Sequence, residues 1–232
     1  MNIEQIDKYY KSLDIKTYWS TESLSIDQIN IITRTFKRLH KKYPDVIIKE
    51  IGDYYSKDKE KHEQSIATGN NLLNDKERDE KTKKIVKMLL NDIEKNKVQI
   101  FDSKYINANY SAEYYSFERQ IIFNHINDGR VKENTIHEFG HAVAYQYNIN
   151  NNKNIIYIFE NTDKKLINKL VSTYATTEVK EFIAEAFMFY YLGRKNIIIN
   201  RVMAIINDEI KNGKVMSETE RLIDNAIHNY EL

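Results

Sequence analysis

Thr135-Ile136-His137-Glu138-Phe139-Gly140-His141-Ala142 sets two imidazoles four residues apart, with a carboxylate directly after the first. In a helix, residues four apart project from one face about one turn apart, so His137 and His141 can reach a single ion. The flanks predict that helix: after the turn signal Asp128-Gly129, the residues Val131, Ile136, Phe139, Ala142 and Val143 fall on one stripe of helical period. Thr135 to Glu138 also reads as a capping box, which would start the helix at Thr135. The stripe beginning at Val131 predicts the earlier start and leaves Glu138 in the helix interior. Gly140 costs about 1 kcal/mol relative to alanine inside a helix, and close approach of another backbone would compensate for it.

Cysteine is absent, so neither a disulfide framework nor a thiolate site is available, and a transition metal must be held by histidine and carboxylate. Zinc suits such donors in a tetrahedron, and a catalytic zinc site keeps one position for water. The ion lowers the pKa of that water, and Glu138 is placed to accept its proton without competing for the metal. A third ligand must come from elsewhere in the chain. No further histidine follows at the short spacing that metzincins use. Glu178, Glu181 and Glu185 share one face of a predicted helix that is otherwise apolar through Phe182, Ile183, Ala184, Ala186 and Phe187. A carboxylate in such company needs a metal or a hydrogen-bond donor, whereas Glu178 in the first turn also suits the helix dipole.

With 41% hydrophobic and 30% charged residues, the chain has apolar material for a buried core, and its 232 residues fit one domain. Its 35 basic residues against 34 acidic ones leave a net charge of +1, which sets up no global field for nucleic acid or an anionic membrane. The expected partner is a peptide or protein substrate recognised locally by a monomer, with no nucleic acid and no membrane. No apolar run reaches spanning or secretory length. The expectation is a soluble chain, cytoplasmic, or secreted if a leader was removed or a dedicated export route exists.

Helical spacing predicts helices over 25–43, ended by Pro44, and over 81–95, while Val46-Ile47-Ile48 and Ile51 predict a strand and turn in 45–54. The charged stretch 56–71 reads as an exposed connection. Between 99 and 125 short β-prone pieces surround Ile100-Phe101, Tyr105-Ile106, Tyr114-Tyr115 and Ile121-Ile122-Phe123. A polar loop over 148–154 and an irregular stretch to 170 follow the HExxH helix. Thr176 or Thr177 is positioned to cap a helix ending at Leu192 before Gly193, and helices are predicted over 196–211 and 218–230. The fold class is α+β, mostly helical, with a small mixed or antiparallel sheet before the HExxH helix. One domain spans 1–232: a helical part with one or two strands to 97, then from 98 the sheet, the HExxH helix, the glutamate-bearing helix and C-terminal helices.

Thr135 to Ala142, together with Ser172-Thr173-Tyr174 and Glu181-Phe182-Ile183-Ala184-Glu185-Ala186-Phe187, resembles the catalytic domain of anthrax lethal factor and its relatives, including the secreted Pro-Pro endopeptidases. In that group a tyrosine seven residues before the ligand glutamate accompanies an E-F-x-A-E-A-F helix, the separation of Tyr174 from Glu181. The resemblance implies a zincin-like, gluzincin-type fold with one zinc ion held by His137, His141 and Glu181. It implies Glu138 as the general base of a metalloendopeptidase and Tyr174 as hydrogen-bond donor to the developing oxyanion. It further implies Glu185 as a neighbour that orients a ligand histidine, and a strand over 119–124 that pairs with extended substrate. The likeness is close over 135–192, weaker to 210, and absent from the first hundred residues. The additional domains of lethal factor and the leader of the secreted endopeptidases have no counterpart here, so neither host-kinase cleavage nor proline-flanked cleavage follows. Similar motifs occur in zincin-like domains of phage head proteins and mobile elements. The alternative is therefore a non-catalytic phage, mobile-element or toxin-associated binding module, against which Glu138 and Tyr174 speak, since a module needing only shape has no use for a water-activating base.

Overall fold

Capping chemistry starts the N-terminal helices in the computed structural model, which describes residues 1–75, 77–92, 111–124, 129–213 and 215–217. Asn2 and Ser25 each accept a bond from the backbone of a glutamine three residues on, whose side chain returns the bond. They open α1 (Ile3–Lys11) and α2 (Ile26–Lys42), with strand β1 (Lys16–Tyr18) between them. Strand β2 (Glu50–Asp53) leads into α3 (Tyr54–Asn74), and residues 80–92 form α4. The hairpin β3 (Ala112–Tyr115) and β4 (Gln120–Phe123) precedes α5 (Val131–Gln146), the HExxH helix. A 3-10 turn at Ile149–Asn151, α6 (Lys153–Asn161), α7 (Lys164–Leu170) and a second turn at Tyr174–Thr176 lead to α8 (Val179–Tyr191) and α9 (Ile197–Asn212).

The four strands form one mixed sheet in the order β1-β2-β4-β3. β1 and β2 run parallel, as do β2 and β4, and only the β3–β4 pair is antiparallel. Gly52 permits the close β1–β2 approach, because a Cβ there would collide with the Tyr18 main chain. Helices dominate the chain around this sheet, so the fold class is α+β. Two of the four strands come from the first 53 residues, which ties the N-terminal part to the sheet beside α5.

Successive side chains of a strand face opposite ways, and here Ile121 and Phe123 of β4 enter the main core while Ile122 faces the α3 side. The core continues through α2, α5 and α8: Phe36 meets Phe139 edge-on at 5.8 Å, and Tyr43 lies 6.2 Å from Phe139 and 5.7 Å from Phe187. Each such ring, fully buried, contributes roughly 1.5–3 kcal/mol. α5 is thereby clamped between α2 and α8.

The chain departs from its sequence reading in five places. Residues 56–71 are not a connection but part of α3, because the Asp53 carboxylate accepts from the Ser56 N–H at 2.8 Å and starts a helix whose stretch 57–64 is mostly lysine, glutamate and glutamine, good intrinsic formers. Residues 153–170 carry two helices instead of an irregular stretch, opened by Asn152 and Asp163, whose side chains accept from the next turn. Only Glu50–Asp53 of the expected strand joins the sheet. The buried Val46 and Ile48 lie outside it, and the main chain at Ile47 is held by the Gln146 amide through bonds of 2.8 Å in both directions. Thr176 and Thr177 do not cap α8: their hydroxyls fold back onto the carbonyls of Thr173 and Tyr174, and Glu178 takes the cap position. Residues 119–124 are no free edge, since β4 lies between β2 and β3 and both its sides are paired. The pieces at 100–101 and 105–106 and the helix expected over 218–230 lie outside the described residues. Among the described residues, no helix is long and apolar enough to cross a membrane.

Candidate metal centre

α5 begins at Val131, as the apolar stripe requires, and the Thr135 hydroxyl donates to the Val131 carbonyl at 2.7 Å rather than capping anything. One turn later His137 and His141 project together toward the first two turns of α8. Gly140 makes that meeting possible: a Cβ there would stand 3.1 Å from a Phe187 ring carbon and 3.3 Å from the Ala184 Cα. The two helices therefore pack backbone to backbone beside the histidines.

Glu181, in the first turn of α8, places Oε2 3.1 Å from His137 Nε2 and 3.3 Å from His141 Nε2, and the two histidine Nε2 atoms are 3.1 Å apart. Bonds of about 2.0–2.1 Å to a tetrahedral zinc require ligand separations of roughly 3.3 Å. Three donors of the N, N, O type at nearly that spacing fit such an ion, and among the described residues these three form a group able to hold a metal. Glu178 does not join them; it is exposed and pairs with Lys180 at 3.2 Å.

Behind the histidines, Glu185 Oε1 lies 2.9 Å from His137 Nδ1. In the neutral ring that metal binding requires, occupying Nδ1–H in this way would leave the Nε2 lone pair facing the centre. Glu138 is buried on the other side of the same helix turn, where its carboxylate accepts a bond from the Tyr114 backbone N–H on β3. The Tyr174 ring stacks on His137, with centroids 5.9 Å apart, and its hydroxyl bonds Glu181 while the residue stays exposed to the cleft. All six residues singled out in the sequence thus lie within one neighbourhood.

Electrostatics separate these groups. Burial alone would lower the His137 imidazole, but its bonds to Glu181 and Glu185 push it up to about 10. For Glu181, burial opposes ionisation and is outweighed by the bonds to His137 and His141, which hold the carboxyl well below the usual carboxylate range. Burial pushes Glu138 the other way, above its ordinary value. Tyr174 is pushed up to about 12, by burial first and then by the charges of Glu181 and Glu138, so its hydroxyl keeps its proton at neutral pH.

The centre sits between two lobes of an open cleft. One, of about 440 Å³, is walled by Glu113, Tyr145, Asn150, Glu178 and Lys180. The other, of about 610 Å³, has Met188 and Phe189 among its walls with Arg130, Asn134 and Ser172. Ala112 of β3 borders both, and no strand among the described residues pairs with the outer side of β3. Sequence reasoning missed Tyr114 and Gln146. The buried Gln146 donates to the Tyr114 hydroxyl at 3.2 Å as well as holding Ile47, so it fixes the strand that meets Glu138. A polar residue interrupting the apolar end of α5 was the available signal.

No protein-family model and no curated protein matches the chain.

Proposed function

We propose that the chain is a zinc-dependent metalloendopeptidase, similar in its centre to the lethal factor and Pro-Pro endopeptidase group, with His137, His141 and Glu181 as the zinc ligands. The observation that carries this reading is the convergence of those three donors at 3.1–3.3 Å beside a buried glutamate that is not one of them. Bound there, zinc would supply Lewis-acid polarisation of a water and of the scissile carbonyl.

The chain's own groups divide the remaining work. Glu138, its affinity for a proton raised by burial, takes the proton of the attacking water and later delivers it to the leaving amine. Tyr174, protonated at neutral pH, donates to the oxygen on which charge develops. Glu185 keeps the His137 ring oriented. The peptide is recognised in extended form by strand addition along β3, in place of the 119–124 strand expected from the sequence, with side chains falling into the two lobes.

Incubating the zinc-loaded protein with a peptide library and reading the termini by mass spectrometry tests this. Cleavage at discrete bonds, abolished by a chelator and by Glu138→Gln, is the expected result. A protein that binds zinc and cuts no peptide under any condition would instead be the non-catalytic binding module.

A further inference from the structure

Ser172 stands two residues before Tyr174, in the segment that runs from the last turn of α7 through the 3-10 turn at Tyr174–Thr176. The ends of that segment are held from outside the centre. Arg194 donates to the carbonyls of Val171 at 3.0 Å and Lys169 at 3.2 Å, Asn196 to that of Leu170 at 2.6 Å, and Lys164 to that of Thr176 at 2.9 Å. The middle of the segment is tied inward by Ser172. Its hydroxyl donates to Glu185 Oε2 at 2.5 Å and accepts from the Ala175 N–H at 3.0 Å. The other oxygen of Glu185 is the one at His137 Nδ1. A continuous path of bonds therefore runs from the backbone beside Tyr174, through Ser172 and both oxygens of Glu185, to the ring of His137.

We propose that Ser172 is a positioning residue: it locks the Glu185 carboxylate so that His137 is held for the metal, and in the same contact seats the turn that carries Tyr174 over that ring. This inference rests on the zinc-peptidase reading. A carboxylate bonded through one oxygen can still swivel about its side-chain torsions, whereas one held through both cannot. An O–H donor to a carboxylate at 2.5–2.7 Å is of the strong, charge-assisted kind. Removing the hydroxyl deprives buried Glu185 of that donor and leaves the Ala175 N–H without its acceptor, so both the ligand and the turn lose their fixed reference. Loss of such outer partners weakens metal binding by about 10–100-fold.

The test compares wild type, Ser172→Ala and Ser172→Thr in three measurements: zinc affinity by competition with a chromophoric chelator, the visible spectrum of the cobalt-loaded protein, and kcat and KM on a cleaved peptide. Ser172→Ala should bind zinc about 10–100-fold more weakly, shift the cobalt spectrum and lower kcat more than it raises KM. Ser172→Thr, which keeps the hydroxyl, should recover most of each loss. Wild-type affinity and spectrum in Ser172→Ala would overturn the proposal, even if its melting temperature fell, and so would a Ser172→Thr variant as impaired as the alanine. Affinity and spectrum are read without substrate, so a wild type that binds zinc but cleaves nothing refutes the peptidase reading and leaves these two readouts to decide on Ser172. A wild type that binds no zinc overturns both.

Discussion

Glu138 and Glu181 are carboxylates in one cleft, yet their surroundings drive their protonation in opposite directions. Two imidazoles facing Glu181 keep it ionised, as the proposed ligand role requires, while burial raises Glu138, as suits the proposed proton acceptor. Glu138→Gln should therefore retain one equivalent of zinc and lose about 10²–10⁴-fold in kcat, checked by elemental analysis and peptide assay on the same preparation. Zinc lost along with turnover would make Glu138 a ligand or a structural residue. Tyr174→Phe should lower kcat by about 10²–10³-fold with little change in KM, because in the proposed mechanism its hydroxyl serves charge that appears only in the transition state. A change confined to KM would make it a binding residue. At this scale His137, Glu138 and His141 were legible because one helical turn brings them together. Spacing alone left Glu178, Glu181 and Glu185 equivalent, and only the family resemblance singled out Glu181. Ser172 belonged to the resembling stretch and Gln146 broke the apolar end of α5, but nothing gave either a role, since their partners, Glu185 and the Ile47 main chain, lie 13 and 99 residues away in the chain.

Among the elements, α5 and α8 decide the site, and their distance is set at Gly140. Alanine there gains about 1 kcal/mol of helix propensity and loses about 1–3 kcal/mol by pressing on Phe187 and the Ala184 backbone. Gly140→Ala should lower the melting temperature modestly and weaken zinc binding, since α8 carries Glu181. Unchanged affinity would mean that the two helices have room to spare. Asp53, at the junction of β2 and α3, is fully buried, and burial raises its carboxyl above the ordinary value despite bonds from Ser56 and Ser20. An acid raised in this way contributes stability that is fully present below its ordinary pKa and is lost as pH rises through the raised one. Stability relative to wild type should therefore improve for Asp53→Asn between about pH 4 and pH 7, as measured by denaturant unfolding at both. An equal difference at the two pH values would refute the shift. The helices not placed by the sequence reading, α1, α3, α6 and α7, each start on a capping side chain, those of Asn2, Asp53, Asn152 and Asp163. In α3 Gly69 alone is buried among the described residues, so no apolar stripe advertised it.

For the molecule as a whole, the α+β class and the small sheet before the HExxH helix could be read from the sequence, but the wiring of that sheet could not. β2 lies beside β4 although every register pair, from Glu50 with Gln120 to Asp53 with Phe123, is 70 residues apart in the chain, and no local pattern records such a partner. The motif-bearing half is accordingly not self-sufficient: without residues 1–97, β4 loses β2 and Phe139 loses Phe36 and Tyr43. A fragment of residues 98–232 should fail to give a cooperative unfolding transition or to bind zinc, and one that does both would show the N-terminal part to be dispensable. The ligand set itself is tested most directly by zinc-edge X-ray absorption on protein carrying one equivalent of the ion. Two imidazole nitrogens and one carboxylate oxygen at about 2.0–2.2 Å are predicted, with one imidazole lost in His137→Ala. A coordination shell that is the same in wild type, His137→Ala and Glu181→Ala, or a protein that retains no zinc, would contradict it.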